Sequence, residues 1–392
     1  MKRFTFLPRV ILGLLLFVTG GGISLAADVT NTVNSTTYTF TVGTNNTVTL
    51  SKIGDTPLAK YTGTDIDLAS AYPEGTFIST DGSTTYTITS MVAMGGNKTI
   101  KTVEMPSTVT SLPARCFSDC TALTTVSFPG LKTIGNYAFQ NCSALTGTLT
   151  FPGLKTIGEY AFQNCSALTG TLTIPSGADV KNQAFSGCTG FTSLVINTGT
   201  TTNVTYFYGN AFKNMGGVTE VKIEDGGSKT IPNNTFQGAA FNAGVTLNID
   251  KNITTIGNYA FSGANFPKTL DLSKFTSIGS HAFEGNTTLA NNGVTFAEKT
   301  TIGASAFENC TALTGELTIP SGASIRTYAF NGCSGVTSLK IHTGTSTSPT
   351  TSGESNWYHG CFIEMTGVES VELIDDENGN HTIPANMFGY AK

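Results

Sequence analysis

The amino-acid sequence predicts a repeat solenoid, with a parallel β-sheet on one side, short helical or 3-10 turns on the other, and a β-rich cap at the N-terminus. The first observation behind this prediction is an Ala-Phe pair that recurs along most of the 392 residues. The second is a strand-like pattern of apolar residues after each pair. The third is composition, since only 12% of the residues are charged and 44 are Gly. Such a composition favours strands and tight turns over amphipathic helices.

The first residues have the pattern of a signal peptide. A positively charged leader precedes the short apolar run Val10–Val18, and Ser24 and Ala26 are the small residues that a signal peptidase needs. The run is too short to span a bilayer, which takes about 20 residues. We therefore expect residues 1–26 to be removed on export, with cleavage after Ala27 as the alternative. We also expect no transmembrane segment in the mature protein.

Residues 27–88 lie outside the repeat pattern. Thr37–Val42 and Thr84–Thr89 alternate apolar and polar residues, which is the period of half-buried strands. We interpret this region as the N-terminal cap of the solenoid. At the other end the sequence stops shortly after Phe388, where an uncovered last repeat would expose an apolar edge. We therefore expect the natural product to continue.

The repeat itself is marked by a Phe that recurs at intervals such as 22, 23 and 24 residues. Most intervals lie within the 20–29 residues of a leucine-rich repeat. A degenerate copy with Met94 in the Phe position precedes the others. We therefore place a leucine-rich-repeat solenoid of about 12–13 repeats at residues 89–392. The recurring residues are Phe117, Phe139, Phe162, Phe185, Phe212, Phe236, Phe261, Phe283, Phe307, Phe330, Phe362 and Phe388.

Each position of the repeat has a physical role. Five residues before the Phe lies a large apolar residue, such as Ile134 or Ile256, which we expect to face the core beside the Phe. Two residues after the Phe comes Gly or Asn, and less often Asp. These residues tolerate positive φ, so we predict a left-handed residue that ends the turn. Only the last two copies depart from this rule, with Glu364 and Tyr390.

After the turn, apolar residues spaced 3, 3 and 2 apart predict a strand whose final pair alternates inward and outward. Cys120, Leu123, Val126 and Phe128 show this spacing. The outward residue between the final pair forms an exposed row along the sheet, which is neutral, polar and without an aromatic cluster. The row consists of Glu104, Ser127, Thr150, Thr173, Val195, Lys222, Asn248, Asp271, Thr295, Thr318, Lys340 and Glu372.

The segment Ile157–Leu168, with the sequence Ile-Gly-Glu-Tyr-Ala-Phe-Gln-Asn-Cys-Ser-Ala-Leu, resembles the BspA-type (treponemal) leucine-rich-repeat surface proteins. The resemblance covers roughly residues 89–392 and is specific because the pattern repeats. It implies an extracellular or cell-surface protein of anaerobic gut or oral bacteria, with adhesion to host proteins or other cells as the usual assignment. It supplies no catalytic residues to transfer.

The eight cysteines fit the repeat as packing residues. Six of them lie three residues after a Phe, and Cys116 and Cys361 occupy the small-residue position normally filled by Ala. We therefore predict buried thiols. Disulfides between neighbouring repeats, for example Cys142 with Cys165, are the alternative, because stacked repeats approach disulfide distances.

No motif indicates catalysis, a cofactor or a metal. The sequence has no Cys-x-x-Cys or His-Glu-x-x-His zinc motif, no nucleophile elbow and no phosphate loop. The acidic run Asp375–Gly379 lacks the alternate spacing of a calcium loop, so we interpret it as a solvated turn rather than a Ca²⁺ site. A net charge of −5 without clusters of Lys and Arg argues against a nucleic-acid partner.

Two long insertions, Thr198–Tyr208 and Thr343–His359, occupy equivalent places in a block duplication offset by 145 residues, the distance from Phe162 to Phe307. Insertions in solenoids often line a binding face. Two of their aromatic side chains, Phe207 and Trp357, fall in the core position five residues before the Phe. The candidate ligand-binding residues that remain are Tyr206, Tyr208, Tyr358 and His359.

These observations favour a non-catalytic binding module. We expect an exported monomer, extracellular or at the cell surface, whose partner is a host or bacterial surface protein or a glycan. The alternative is a structural or spacer component of the bacterial cell envelope, which the neutral row of exposed strand residues would suit. The binding module predicts that deletion of Thr198–Tyr206 and Ser346–Asn356 abolishes attachment without unfolding the chain. The spacer predicts no saturable ligand in an array of glycans and matrix proteins.

Overall fold

The structure is a computed structural model that describes residues 12–13, 28–79, 82–149, 153–343 and 360–375. The chain forms two compact units, Met1–Thr169 and Gly170–Lys392. Each unit contains stacked rungs with parallel strands on one side and tight turns on the other. The predicted repeat solenoid with a β-rich N-terminal region is therefore confirmed. The boundaries at residues 26 and 88 stay predictions.

The first unit begins with a mostly antiparallel sheet, in the strand order β1-β2-β3-β4-β8-β7, with β5 paired to β4. Of the expected signal peptide only β1 lies within the described residues, and its backbone pairs with Asp28 and Val29. The strands are β1 (Leu12–Gly13), β2 (Asp28–Val33), β3 (Thr36–Val42), β4 (Thr47–Ile53), β5 (Thr56–Pro57), β6 (Asp65–Asp67), β7 (Thr76–Ile78) and β8 (Thr85–Met91).

The expected alternation of buried and exposed residues fails in the middle of β3. Thr39 and Phe40 are neighbours, yet both are buried. The cause is a shift in register between these two residues where β3 pairs with β4, since a bulge turns two successive side chains toward one face. Phe40 packs against Tyr72 and Phe77, with ring centroids 5.9 and 5.0 Å away, so aromatic contacts form the core of this region.

Helices are few among the described residues. They are two 3-10 helices, Thr44–Asn46 and Leu58–Lys60, and one α-helix, α1 (Leu68–Ala71), all in the N-terminal region. Asp67 caps α1 by accepting a hydrogen bond from the Ser70 N–H at 2.8 Å. In the rungs, the expected helical or 3-10 turns are isolated turns with hydrogen bonds of the 3-10 type, for example from Cys142 N–H to the Phe139 carbonyl.

The remaining strands of the first unit belong to its rungs. Strand β6, from the N-terminal region, pairs in parallel with β9, which pairs in parallel with β11. The two-residue strands β10, β12 and β13 form a second parallel ladder, which we call the narrow ladder. These strands are β9 (Thr102–Glu104), β10 (Ser111–Leu112), β11 (Thr125–Ser127), β12 (Thr133–Ile134) and β13 (Thr156–Ile157).

The second unit contains two four-stranded parallel sheets, which we call the wide sheets, in the orders β14-β16-β18-β20 and β23-β25-β27-β28. Its narrow ladder consists of β15 paired with β17 and of β19-β21-β22-β24-β26. The strands are β14 (Gly170–Ile174), β15 (Asp179–Val180), β16 (Phe191–Asn197), β17 (Tyr206–Phe207), β18 (Glu220–Glu224), β19 (Thr230–Ile231), β20 (Thr246–Ile249), β21 (Thr255–Ile256), β22 (Ser277–Ile278), β23 (Asn292–Thr295), β24 (Thr301–Ile302), β25 (Thr314–Ile319), β26 (Ser324–Ile325), β27 (Val336–Thr343) and β28 (Ser370–Asp375).

From Phe117 to Phe330, the apolar residue five positions before each recurring Phe is buried, as predicted, but it lies in a two-residue strand of the narrow ladder and not in a helical turn. Ile134 and Ile256 have no exposed surface, and Phe207 takes the same position with 3% exposure. The residue after this apolar position is usually Gly, because the backbone of the preceding rung lies too close for a side chain. A Cβ on Gly303 would lie 2.4 Å from the Ser280 nitrogen, which is a severe clash.

The turns are joined from rung to rung by backbone hydrogen bonds that all run the same way. In one rung, the N–H groups of Tyr259, Phe261 and Gly263 donate to carbonyls of the following rung at 3.0, 2.7 and 2.8 Å. Met94 N–H likewise donates to the Cys116 carbonyl, so Met94 makes the bond that a Phe makes in the other rungs. We call this arrangement the turn ladder.

The turn ladder depends on two left-handed residues in each rung. The residue two positions after the Phe has positive φ as predicted, and even Glu364 adopts it, with φ of 55°. A second left-handed position, two residues before the Phe, was not predicted. Most of the residue types at this position disfavour the left-handed conformation. It is stabilised because it directs backbone N–H donors along the stack, where they meet carbonyls of the next rung. The residues at this position are Arg115, Tyr137, Tyr160, Gln183, Asn210, Asn234, Tyr259, His281, Ser305 and Tyr328.

The recurring Phe side chains form a stacked column in the core of each unit. In the first unit, Phe139 lies 5.3 Å from Phe117 and 5.0 Å from Phe162 between ring centroids. In the second, Phe283 lies 5.0 Å from both Phe261 and Phe307, with interplanar angles of 1° and 8°. These separations match the spacing of neighbouring strands, about 4.8 Å, so the stacks follow the rungs in register.

All eight cysteines are buried thiols, as predicted. Their role in the stack was only partly foreseen. The Cys165 thiol donates to the Phe139 carbonyl at 3.0 Å, and the Cys310 thiol donates to the Phe283 carbonyl at 3.0 Å. Where Asn286 replaces the Cys, its amide lies 3.5 Å from the Phe261 carbonyl. The position therefore supplies a small donor to the preceding rung as well as packing.

The Phe stack generates a stability prediction. Phe283→Ala removes a fully buried ring from between two others, so we expect the free energy of unfolding to fall by about 3–5 kcal/mol. Urea denaturation followed by circular dichroism measures this loss. The exposed Thr295→Ala on β23 is the control and should change it by less than about 0.5 kcal/mol. A loss for Phe283→Ala as small as that of the control would contradict the stacked core.

The buried thiols generate a second prediction. Burial raises the pKa of Cys120 and of Cys333 to about 12, so both thiols stay protonated and unreactive at pH 8. We expect no alkylation of the native protein by iodoacetamide at this pH. In guanidinium without reductant, all eight cysteines should react, as counted by mass spectrometry. Fewer than eight alkylated residues in that denatured sample would reveal disulfides and reject the prediction.

Candidate functional site

The first insertion is a miniature antiparallel hairpin on the second unit, residues 198–205, which we call the insertion hairpin. Gly199 pairs with Val204, and Thr200 and Asn203 exchange backbone hydrogen bonds of 3.2 and 3.3 Å across the tip. The tip is exposed, whereas Thr198 and Thr205 at its base have no exposed surface. The insertion therefore has an ordered polar tip on a buried base.

Hydrogen bonds from threonine hydroxyls fix the base of the insertion hairpin to its neighbours. The Thr205 hydroxyl donates to the Asn197 carbonyl at 2.7 Å and accepts from the Gly177 N–H at 3.0 Å. The Thr198 hydroxyl accepts from the Gly226 N–H at 3.1 Å. The preceding and following rungs thus both hold the hairpin, which explains why its Thr-rich sequence is compatible with a defined shape.

Tyr206 and Tyr208 project from the chain directly after the hairpin. They flank the buried Phe207 and are 59% and 46% exposed, so both rank among the most exposed large side chains of the described residues. Their backbones are fixed, because their N–H groups donate to the carbonyls of Ala178 and Val180 at 2.8 and 3.0 Å. The strand period thus presents two phenol rings to solvent from a rigid support.

A lysine from the preceding rung completes this surface. The Lys181 ammonium lies 4.0 Å from the centroid of the Tyr208 ring and 2.7 Å from an Asp179 carboxylate oxygen. Burial lowers the pKa of Lys181, but its hydrogen bonds to Asp179 and Tyr208 outweigh this and the net pKa is raised. The ammonium stays charged and holds one face of the Tyr208 ring.

The structure brings together only part of the set predicted from sequence. Tyr206 and Tyr208 lie side by side on the same edge of the second unit, and Lys181 and Asp179 join them. Tyr358 and His359 lie outside the described residues, as do Trp357 and the acidic run Asp375–Gly379 except for Asp375 itself. Lys181 and Asp179 were not predicted from the sequence. Alignment of neighbouring repeats could have identified them, because they occupy the positions of Tyr208 and Tyr206 in the preceding rung.

The exposed row of strand residues lies in register within each sheet, as predicted. Thr173, Val195, Lys222 and Asn248 are consecutive partners in one wide sheet, and Thr295, Thr318, Lys340 and Glu372 are partners in the other. Its cations are paired: Lys222 with Glu224 at 2.8 Å and Lys340 with Glu372 at 3.6 Å. Thr150 lies outside the described residues.

A further column of aromatic and cationic side chains follows from the unpredicted left-handed position. In the first unit, the Arg115 guanidinium lies 4.6 Å from the Tyr137 ring centroid, and Tyr137 stacks on Tyr160 at 5.1 Å. In the second unit, Tyr259 stacks on His281 at 4.6 Å. The rings face one another, so they present edges rather than faces to solvent and chiefly stabilise the turns.

Other kinds of site find no support in the part of the chain that the structure describes. No group of three or more His, Cys, Asp or Glu residues there could hold a metal ion. None of the helices in those ranges has both the length and the apolar character needed to cross a membrane.

The base of the insertion hairpin generates a prediction. Thr205→Val preserves the shape of the side chain but removes two buried hydrogen bonds, so we expect a loss of about 1–3 kcal/mol in the free energy of unfolding. Thr202→Val at the exposed tip is the matched control and should be nearly neutral. Urea denaturation measures both, and equal effects of the two variants would refute the role of the Thr205 hydroxyl.

Several solved structures are similar to this chain. Similar solved structures include the leucine-rich repeat protein TpLRR of T. pallidum (18% identity, 48% of this chain and 82% of that chain covered, TM-score 0.35). A leucine-rich repeat protein from Bacteroides ovatus has 17% identity over 88% of this chain and 99% of its own, with a TM-score of 0.33. The pneumococcal vaccine antigen PcpA has 16% identity over 92% and 90%, with a TM-score of 0.42.

The search of curated proteins finds no match. The family evidence comes from the repeats themselves. The family model described as BspA type leucine rich repeat region (6 copies) matches four overlapping segments, at residues 93–203, 155–290, 205–337 and 286–390. Together these segments cover most of the sequence and coincide with the rungs described above. The chain therefore belongs to the BspA-type leucine-rich-repeat family.

Proposed function

We propose that this protein is an exported, non-catalytic binding module that attaches to a surface protein or glycan through the insertion hairpin and the adjoining tyrosines. The observation that carries the proposal is the pair of exposed phenol rings at Tyr206 and Tyr208 on a rigid strand. Tyrosine rings supply large contact area at a small entropic cost, and they are enriched in binding sites.

The surroundings of the two tyrosines suit recognition of a polar partner. The hairpin tip adds hydroxyl and amide groups of Thr200–Asn203, and Lys181 and Asp179 add a paired charge. The pairing leaves no large excess of either charge, which favours hydroxyl-rich or mixed-charge ligands over phosphates. Glycans and the polar surfaces of extracellular proteins are partners of this kind.

Export and surface location form the second part of the proposal. Support comes from the signal-peptide pattern of residues 1–26 and from membership in the BspA-type family. One similar structure carries the description of a leucine rich cell surface protein from Faecalibacterium prausnitzii, at 17% identity. We place the mature chain outside the cytoplasm, as a monomer.

A binding array tests the proposal. The purified mature chain is applied to immobilised glycans and extracellular-matrix proteins, and the double variant Tyr206→Ala, Tyr208→Ala is applied in parallel. We expect saturable binding by the native chain and at least about a tenfold loss for the variant, because truncation of aromatic anchors costs 2 kcal/mol or more. Binding that the double variant retains in full would remove these tyrosines from the site.

The matched control is Tyr328→Ala, which truncates another ring that is 46% exposed in the same unit. This variant should bind like the native chain. Equal losses for the control and the double variant would indicate a general effect of removing exposed rings, and would contradict a localised site.

A spacer role in the cell envelope is the second candidate. One observation favours it, namely that the cations of the exposed strand row already have acidic partners in Lys222–Glu224 and Lys340–Glu372. Because these charges already pair with one another, the surface requires no charged ligand to neutralise it. The same array distinguishes the candidates, because a spacer shows no saturable binding to any glycan or matrix protein.

A further inference from the structure

The wide sheet of the second unit is interrupted in the middle. Strand β20 has no strand on its far side, and the next wide sheet begins only at β23. The rung between them, residues 264–275, contributes no strand at the position where Thr269–Leu272 would continue the sheet. This leaves an open sheet edge within the second unit.

The cause of the interruption lies in a displaced aromatic residue. Most rungs have a Leu, Val or Phe six residues after the recurring Phe, but two consecutive rungs have Phe241 and Phe266 one residue earlier. These rings pack on each other at 4.8 Å, and Phe266 packs on Phe236 at 4.9 Å. Pro267, which cannot donate a hydrogen bond, then occupies the usual apolar position. The following segment runs outside the ladder.

Backbone groups of β20 face the interruption. The N–H groups of Thr246 and Asp250 donate to β18 and its flank, at 2.9 and 3.0 Å. Alternate residues of a strand point their backbone groups to opposite sides, so those of Leu247 and Ile249 point away from β18 toward the gap. Leu270, on the other wall, directs its N–H and carbonyl to the Asn291 side chain at 3.0 and 2.7 Å and so bonds away from β20.

The gap opens into a groove of about 760 Å³. Its floor is apolar, since Leu247, Ile249 and Leu270 line it and are half-buried, whereas the equivalent Val221 and Ile223 of β18 are fully buried. Apolar side chains beside an open strand edge are the arrangement that proteins use to add an extended peptide to a sheet.

The walls of the groove are acidic. Glu224, Asp225, Asp250 and Asp271 line it together with two lysines. Lys222 is paired with Glu224, and the Lys274 ammonium lies 3.5 Å from the carbonyls of Ile249 and Asp250. Among the described residues, Asp225, Asp250 and Asp271 form no ion pair. Each caps its own turn, as Asp271 does by accepting from the Ser273 N–H at 2.9 Å. These three carboxylates therefore favour a cationic occupant.

We propose that this gap is a second docking site, which takes an extended basic peptide segment of a partner protein as an added strand on the edge of β20. The peptide backbone pairs with the outward groups of Leu247 and Ile249, and it displaces the Lys274 ammonium from the Ile249 carbonyl. Its apolar side chains lie on the half-buried floor, and its Lys or Arg side chains, at alternate positions, reach Asp250 and Asp271. The site is separate from the insertion hairpin and does not depend on the function proposed for it.

The test uses a fluorescein-labelled octapeptide of alternating Lys and Val, titrated into the full chain with fluorescence anisotropy as the readout. We expect saturable binding, and none by the matched peptide of alternating Glu and Val. In the double variant Asp250→Asn, Asp271→Asn we expect binding about tenfold weaker. Asn preserves the capping oxygen, so the turns stay intact. Absence of Lys-Val binding by the native chain would overturn the proposal.

Two controls separate strand addition from mere charge attraction. A Lys-Val peptide methylated on alternate backbone nitrogens has the same charge but cannot pair with a strand, and we expect its binding to be lost. The double variant Glu298→Gln, Glu316→Gln removes two exposed carboxylates of the same unit elsewhere and should bind normally. Undiminished binding by the methylated peptide, or an equal loss in this control variant, would reject β-strand addition at the gap.

Discussion

The structure depends on backbone hydrogen bonds that pass from each turn to the next rung. The three donors at Tyr259, Phe261 and Gly263 set the spacing at which Phe261 meets Phe283, and the thiol position adds a further bond back to a Phe carbonyl. No rung could satisfy these groups alone, because its donors and acceptors are all directed along the stack. Packing of the Phe column and hydrogen bonding of the turns therefore impose the same separation.

Much of this architecture could be predicted from the sequence because the same physical demand recurs. The burial of the Ile before the Phe, the buried thiols and the left-handed residue after the Phe are each present in many copies, so chance patterns average out. The left-handed residue before the Phe escaped prediction because Tyr137, Gln183 and His281 share no side-chain chemistry. What they share is a backbone shape, which the turn ladder enforces against their preferences.

The functional surfaces were harder to foresee for a related reason. Tyr206 and Tyr208 could be predicted as exposed since they flank a core position, but their neighbours Lys181 and Asp179 lie one rung away, and only the register of β15 with β17 brings them together. The interruption after β20 arises from a displacement of one residue, at Phe241 and Phe266, which periodic analysis treats as noise. Positions that depart from the repeat form the candidate binding surfaces, whereas positions that follow it form the stabilising core.

The single direction of the turn ladder has a consequence for how such chains evolve. In the turn ladder, each rung offers amide hydrogens to the following rung and carbonyl oxygens to the preceding one, so the turns of any two rungs fit in the same order. A gene segment encoding whole rungs can be copied in tandem without creating a mismatched junction, and the likeness of Phe162–Gly177 to Phe307–Gly322 has the form of such a copy. The insertion hairpin lies between two turns that remain joined, since the Phe185 N–H donates to the Ala211 carbonyl at 2.9 Å. Loops at this place can therefore diverge without breaking the turn ladder.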